Sequence, residues 1–185
     1  MKFRFLNFYV SPLYMAVENK DEDILQLLLD NKGIEIGNSV FQYCFSLKNF
    51  SIPSFITEIG DYAFNNCRSM QNISFSPSII TIGSYSFYNC IGLTTITIPS
   101  SVTKIGSHCF YKCSSIKEIV IPSSVTELGD YAFNSCTSLK KIIIPTSIKK
   151  IGSSTFAMTA INKIEIPNSV TEIGEFAFSQ CKKMK

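Results

Sequence analysis

Residues 96–113 read ITIPSSVTKIGSHCFYKC, and residues 119–136 repeat the same pattern as IVIPSSVTELGDYAFNSC. The glycine of this pattern recurs at positions 37, 60, 83, 106, 129, 152 and 174, and a phenylalanine follows each glycine four residues later. The step between glycines is 23 residues five times and then 22 residues once. A fixed period of this length is typical of a solenoid, in which each unit packs on its neighbours. The glycine count predicts about six to seven rungs.

Each unit contains two short apolar runs, which in the second stretch are Ile119-x-Ile121 and Val125-x-x-Leu128. β-branched residues in alternation favour strands with one buried and one exposed face. Proline ends the first run because it cannot donate to a strand ladder, and glycine ends the second. The residue after the glycine is Asn, Asp or Ser in every unit except the last. These residues are preferred helix N-caps, so we expect a short helical turn there.

The skeleton I-x-I-P-x-S-V-T-x-I-G-x-x-A-F-x-x-C-x-S-L resembles the BspA-like leucine-rich repeat family from about Gly37 to Lys185. The resemblance implies a leucine-rich-repeat solenoid that is mainly β with short helical turns. It also implies a role in binding, because family members resemble surface proteins that adhere to host or matrix molecules and to other cells. The family brings no catalytic residues, and we predict no cofactor or metal site.

The N-terminal segment follows a different pattern. The stretch from Ser11 to Val17 is similar to the ankyrin T-P-L-H-x-A opening, and the stretch from Asp23 to Leu29 is similar to the second ankyrin helix. One such repeat cannot bury its own apolar face. It therefore either caps the first rung, which we favour, or is the remnant of a longer array. We divide the chain into an ankyrin-like helical segment, 1–36, and a solenoid, 37–185.

Charge and hydropathy narrow the class of protein. The net charge is +3 and dispersed, which does not indicate nucleic-acid binding. No apolar run approaches the roughly 18 residues of a membrane span. Arg4 and Asn7 interrupt the apolar stretch that a signal peptide requires. The expected location is therefore cytoplasmic by default, whereas the family resemblance favours the cell surface.

The repeat also accounts for the residues that could suggest catalysis. His108, the only histidine, occupies a position that holds Tyr62, Tyr85 and Tyr131 in other units. We interpret it as an aromatic-sized side chain on the outside of a turn, and we predict no enzyme. The seven cysteines cannot all pair within the chain because their number is odd. Six of them recur at one position of the unit, which predicts a ladder of buried thiols: Cys44, Cys67, Cys90, Cys113, Cys136 and Cys181.

The outward positions of the first run are the candidates for partner binding. They change from neutral and polar near the N-terminus to basic near Lys140 and Lys141. A flat polar sheet suits a protein partner better than a small ligand, because it lacks a concave apolar pocket. We hypothesise that Lys140, Lys141 and Lys163 contact an acidic partner; the alternative is a solvated face. The predicted binding face is Thr95, Thr97, Lys117, Glu118, Lys140, Lys141, Lys163 and Glu165.

Two functions are compatible with this sequence. The first, which we favour, is a protein-binding or adhesion module whose partners include host or matrix proteins. The second is an intracellular scaffold that recruits proteins through ankyrin-like and leucine-rich repeats. The C-terminal end of the solenoid raises a separate question, because the last unit is followed by lysines and not by a distinct cap. Either the lysines serve as the cap, the chain is a fragment, or the open edge self-associates.

Overall fold

A computed structural model describes residues 36–181 as a β-solenoid of about five turns with a spacing of about 23 residues. Its strands are two or three residues long: β1 (Asn49–Ser51), β2 (Glu58–Ile59), β3 (Asn72–Ser74), β4 (Thr81–Ile82), β5 (Lys104–Ile105), β6 (Glu118–Val120), β7 (Glu127–Leu128), β8 (Lys141–Ile143), β9 (Lys150–Ile151) and β10 (Glu172–Ile173). No helix in residues 36–181 is long and apolar enough to cross a membrane.

The two apolar runs of the unit form two separate rows of parallel strands. The first run gives the pairs β1–β3 and β6–β8, and an isolated bridge between Asn72 and Thr95 lies between them. The second run gives the sheet β2–β4–β5–β7 and the pair β9–β10. In most of these pairs each residue lies beside the residue 23 positions away, so every unit repeats the same inward and outward positions.

The segment after each glycine forms a third row of hydrogen bonds between units. It was predicted to form a short helical turn, but it is not helical. In the central unit, the backbone N–H groups of His108, Phe110 and Lys112 donate to carbonyls of the next unit at 2.8–2.9 Å. His108 and Lys112 have positive φ angles of 55° and 59°. Left-handed residues at these places break the run of right-handed residues that an α-helix requires. The expected short helical turns are therefore wrong for residues 36–181.

The repeating glycines serve close approach between units rather than a left-handed backbone, since no described glycine has a positive φ. A Cβ atom at Gly106 would lie 2.4 Å from the backbone nitrogen of Ser84. The residue after the glycine was expected to cap its own helix, and this is also wrong. Asp61 instead accepts a hydrogen bond from the Ser84 N–H at 2.7 Å, and so satisfies a donor of the next unit.

The core is one continuous apolar column. The repeated phenylalanines stack on one another, and Phe110 lies 5.4 Å from Phe87 and 5.3 Å from Phe133 between ring centroids. Six of the seven rings are fully buried, and Phe178 at the C-terminal end is half-buried. Burying one such ring contributes roughly 1.5–3 kcal/mol. No unit can bury its ring alone, so stability comes from stacking between neighbours.

The ends of the described column explain why the turn number is lower than the predicted six to seven rungs. The first unit is described only from Ile36, and the last has no strand between residues 161 and 171. Because the last unit has no described neighbour beyond it, Ile173 is 50% exposed, whereas Ile151 in the equivalent position is buried. The ankyrin-like segment lies outside the described residues, and the domain boundary at residue 37 remains a prediction.

Candidate partner-binding face

The predicted binding residues all lie on one exposed surface, which we call the first-strand face. It comprises the exposed side chains at 48–51, 71–74, 94–97, 117–120, 140–143 and 162–165. The β6–β8 pair brings Glu118 beside Lys141, and the Lys140 N–H donates to the Lys117 carbonyl at 2.8 Å. Thr95 bridges to Asn72. Thr97, Lys163 and Glu165 are exposed on the same side but lie outside the named strands.

The charges of the first-strand face are not neutralised within it. Lysines outnumber glutamates on this face. Within residues 36–181, neither Glu118 nor Glu165 forms an ion pair with a lysine, although Glu118 and Lys141 are register neighbours. The lysines therefore keep their full charge available to a partner, and the field of this surface is positive.

Two apolar side chains stand among these charges, at outward positions that strand alternation predicted as candidates but that lie outside the eight-residue binding face. Val120 is 60% exposed and Ile143 is 51% exposed, and the two are register partners across β6 and β8. Other units carry Ser51, Ser74 or Thr97 at this position. The alternation of the strand already places these residues outward, so the sequence contained the signal. An apolar centre with a charged rim is the usual composition of a protein-binding surface.

The N-terminal part of the same face carries a ladder of polar side chains that bond to one another. The Asn72 side-chain amide donates to Asn49 Oδ1 at 3.0 Å, and the Thr95 hydroxyl donates to Asn72 Oδ1 at 3.2 Å. The residues of this ladder occupy the same position of the repeat as Glu118 and Lys141 in later units. The column from Asn49 to Lys141 thus changes from polar to charged, whereas Lys48 already places a positive charge at the N-terminal end of the face, which was predicted to be neutral.

The second row of strands presents a different surface, the second-strand face, made by the exposed side chains at 57–58, 80–81, 103–104, 126–127, 149–150 and 171–172. Here the charges alternate in sign from unit to unit and pair. Lys104 Nζ lies 3.1 Å from Glu127, and Lys150 Nζ lies 2.6 Å from Glu172. The hydrogen bond that Lys150 donates to Glu172 raises the pKa of Lys150. This alternating row was predicted as an exposed structural row rather than an acid–base pair.

His108 occupies the predicted aromatic position on the outside of the turn. Its ring stacks between Tyr85 at 4.5 Å and Tyr131 at 4.6 Å. Burial lowers the pKa of His108, although Asp130 opposes the shift. Its Nδ1 atom is buried and has no hydrogen-bond partner in the described part of the chain. A histidine held between two tyrosines, with no carboxylate bonded to it, has the environment of a packing residue.

The cysteine ladder is buried and hydrogen-bonded as a structural element. Each of the five ladder thiols after Cys44 donates to the phenylalanine carbonyl of the preceding unit, as Cys113 does to Phe87 at 3.1 Å. Burial raises the pKa of Cys113 well above its ordinary value and that of Cys109 to about 12. Because the thiolate is the reactive form, these thiols are poor nucleophiles and metal ligands. The described cysteines are unpaired, and residues 36–181 contain no cluster of His, Cys, Asp and Glu that could hold a metal ion.

Comparison with known proteins places this architecture among leucine-rich repeat proteins. A leucine-rich repeat protein of T. pallidum is 29% identical, with a TM-score of 0.73 over 76% of this chain and 66% of that chain. One from Bacteroides ovatus is 32% identical, with a TM-score of 0.77 over 82% of this chain and 40% of that chain. A leucine-rich cell surface protein of Faecalibacterium prausnitzii is 38% identical, with a TM-score of 0.75 over 80% of this chain and 40% of that chain.

The chain thus spans about two thirds of the first of these proteins and 40% of the other two. No curated protein matches it. The family model described as BspA type leucine-rich repeat region (6 copies) matches residues 34–156 and 103–185. The matched residues are the same ones that form the glycine and phenylalanine columns, and the chain belongs to the BspA-type leucine-rich repeat family.

Proposed function

We propose that this chain is a non-enzymatic protein-binding module that engages its partner through the first-strand face. The observation that carries the proposal is the contrast in charge pairing. The lysines around Val120 and Ile143 form no ion pair in the described residues, whereas Lys104 and Lys150 of the second-strand face pair with glutamates. Charges left unpaired beside exposed apolar side chains are available to an interface.

The chemistry of the face indicates the kind of partner. Lys140, Lys141 and Lys163 would attract an acidic surface, and the electrostatic attraction would mainly raise the association rate. Val120 and Ile143 would enter an apolar depression of the partner and supply the buried centre of the contact. Host or matrix proteins with acidic surfaces are partners of this kind, and adhesion is the corresponding role.

We place the protein at the cell surface. The support is the family match and the similarity to a cell surface protein of Faecalibacterium prausnitzii. The comparisons give no support to the cytoplasmic default that the N-terminal sequence suggested. Localising a tagged full-length chain in intact and permeabilised cells separates adhesion from the intracellular scaffold. Labelling only after permeabilisation would favour the scaffold.

Charge reversal tests the binding face. A chain carrying Lys140→Glu, Lys141→Glu and Lys163→Glu should lose the protein partners that the native full-length chain retains in an affinity pull-down. The matched control reverses Lys104, Lys149 and Lys150 on the second-strand face and should retain them. If the first triple variant captures the same partners as the native chain, the first-strand face is not the binding surface.

We also propose that the C-terminal edge can bind a second copy of the chain. The support is the exposure of apolar side chains in the last described unit, where Ile166 is 40% exposed and Phe176 is 69% exposed. A repeat edge with exposed apolar side chains can add another strand. Light scattering over a concentration series tests this, and a monomer at every concentration rules it out.

A further inference from the structure

A shallow groove of about 390 Å³ lies at the N-terminal end of the first-strand face, away from Val120 and Ile143. Two cationic side chains, two amides, two hydroxyls and a glycine line it: Lys48, Arg68, Ser69, Gln71, Asn72, Gly92 and Thr94. None of the lining residues carries a carboxylate. The groove is therefore electropositive and rich in hydrogen-bond donors.

Much of this donor capacity is unused. Among the described residues, the side chains of Lys48, Ser69 and Gln71 have no hydrogen-bond or ion-pair partner. Arg68 makes one hydrogen bond, to Asn66 Oδ1 at 3.3 Å, and its guanidinium lies 5.9 Å from the centre of the Phe45 ring. A guanidinium has five N–H donors, so most of those on Arg68 remain open to a ligand.

Two residues distinguish the groove from the same place in other units, a glycine where serine recurs and an arginine at a variable position. The position of Gly92 holds serine at 46, 69, 115 and 138, and Ser115 uses its hydroxyl to bind the Ile91 carbonyl at 2.6 Å. The position of Arg68 varies from unit to unit and holds Phe45, Ile91, Ser114 and Thr137 elsewhere. Gly92 therefore has no side chain where other units carry a serine, and the preceding unit supplies the long cationic side chain of Arg68. A Cβ atom at Gly92 would lie 2.8 Å from the Arg68 carbonyl oxygen and 2.9 Å from the Met70 carbonyl oxygen, so the missing side chain also lets the two units approach closely at the groove.

We propose that this groove binds a carboxylate-bearing saccharide. Arg68 and Lys48 would hold the carboxylate, since arginine pairs with planar carboxylates through two parallel hydrogen bonds. The amides and hydroxyls of the lining match the mixed donors and acceptors of sugar hydroxyls. An extended peptide fits less well, because β3 is already flanked by β1 on one side and by the bridge to Thr95 on the other. No strand edge is open there for peptide addition.

The test uses the full-length ¹⁵N-labelled chain and backbone amide NMR shifts. The probe is the glucuronic acid–N-acetylglucosamine disaccharide, with the neutral disaccharide of two N-acetylglucosamines and the peptide acetyl-Glu-Glu-amide as comparators. We expect saturable shifts at Gln71, Gly92 and Thr94 with the acidic disaccharide only. Arg68→Gln or Lys48→Gln should weaken its binding at least about tenfold, whereas the control Lys149→Gln on the second-strand face should not.

Several outcomes would overturn the proposal: no saturable shift up to about 20 mM disaccharide, equal binding of the neutral sugar, or unchanged binding by Arg68→Gln. Tighter binding of the peptide would also overturn it and assign the groove to acidic protein segments. Arg68 and Lys48 are exposed, so both variants should retain the native spectrum elsewhere. The protein-binding proposal depends on Lys140, Lys141 and Lys163, and its outcome is independent of this experiment.

Discussion

The two strand faces of the solenoid share one period and one core, but they treat charge differently. On the second-strand face, lysine and glutamate alternate between neighbouring units and form ion pairs at 3.1 and 2.6 Å. On the first-strand face, Glu118 and Lys141 are equally close in register but form no ion pair, and Val120 and Ile143 stand exposed beside them. The difference lies in the outward side chains and not in the backbone.

The comparison teaches that the repeat fixes the scaffold and leaves the outward positions to vary. Exposed ion pairs contribute little to stability, typically under about 1 kcal/mol. Pairing on the second-strand face therefore does more to cancel the local field than to hold the fold. The first-strand face retains a positive field next to an apolar centre, which is a combination that favours a partner.

Raising the pH should destabilise the whole solenoid and therefore both faces. We expect this to be the largest of the effects. The buried thiols, such as Cys113 and Cys136, have pKa values raised above those of the unfolded chain. Their contribution is fully present below the unfolded pKa of about 8.5 and is lost as the pH rises from there toward the folded pKa. Each buried thiol should lower the free energy of unfolding by roughly 1.4 kcal/mol per pH unit in this window.

Urea denaturation of the reduced protein from pH 7.5 to 10 measures this loss. The matched variant is Cys113→Ser, in which a hydroxyl replaces the thiol as donor to the Phe87 carbonyl. The free energy of unfolding of this variant should fall less steeply with pH, by the roughly 1.4 kcal/mol per pH unit that one thiol contributes. A free energy of unfolding that stays constant across this range would contradict the buried ladder.

Removing one ring of the phenylalanine column should also disable both faces. Phe110 is fully buried between Phe87 and Phe133, so Phe110→Ala should lower the free energy of unfolding by about 3–5 kcal/mol. The control is Phe176→Ala, whose side chain is largely exposed and should matter by less than about 0.5 kcal/mol. Equal losses in thermal or urea denaturation would show that the rings do not act as a stacked core.

The glycine column offers a sharper version of this test. A Cβ atom at Gly106 would collide with the backbone of the preceding unit, and we expect Gly106→Ala to cost about 3 kcal/mol. Within residues 36–181, the nearest atom to a new Cβ at Gly37 belongs to the Val40 side chain, at 4.0 Å. Gly37→Ala should therefore leave stability nearly unchanged. If the two alanine variants unfold at the same urea concentration, close approach is not the reason for the glycines.

The smallest expected effect on the free energy of unfolding comes from removing a single glutamate charge on either face. Glu127→Gln removes the partner of Lys104 and should lower the free energy of unfolding by no more than about 0.5 kcal/mol. Glu118→Gln on the first-strand face removes no ion pair and should be neutral. The difference should vanish in about 1 M salt, where exposed charges are screened. A larger loss from Glu118→Gln would mean that this face is internally paired after all.

Much of the solenoid could be predicted because the sequence repeats its physical requirements. Alternating apolar runs gave both rows of strands, and the recurrence of Phe110 and Cys113 placed the core. The turn after the glycine could not be predicted from residue preferences. Asp130 and Ser107 have the preferences of helix N-caps, yet their neighbours Tyr131 and His108 adopt left-handed backbones. Hydrogen bonds to the next unit decide this conformation, and a local preference does not include them.

The binding face could be predicted as a set of outward positions but not as a site. The exposure of Lys140, Lys141 and Lys163 follows from strand alternation. Which charges pair is a property of side-chain geometry between units, and the sequence places Glu118 and Lys141 no differently from Lys104 and Glu127. The groove at Arg68 and Gly92 could be found only as a departure from the repeat.

Photo-crosslinking tests the central claim most directly. Benzoylphenylalanine is placed either at Val120 on the first-strand face or at Ile80, which is 47% exposed on the second-strand face. Both full-length variants are irradiated with intact partner cells or matrix, and the covalent protein adducts are identified. We predict a specific adduct from position 120 and none from position 80. An adduct from position 80 alone, or equal adducts from both, would contradict the claim that the unpaired, apolar-centred face is the one that binds.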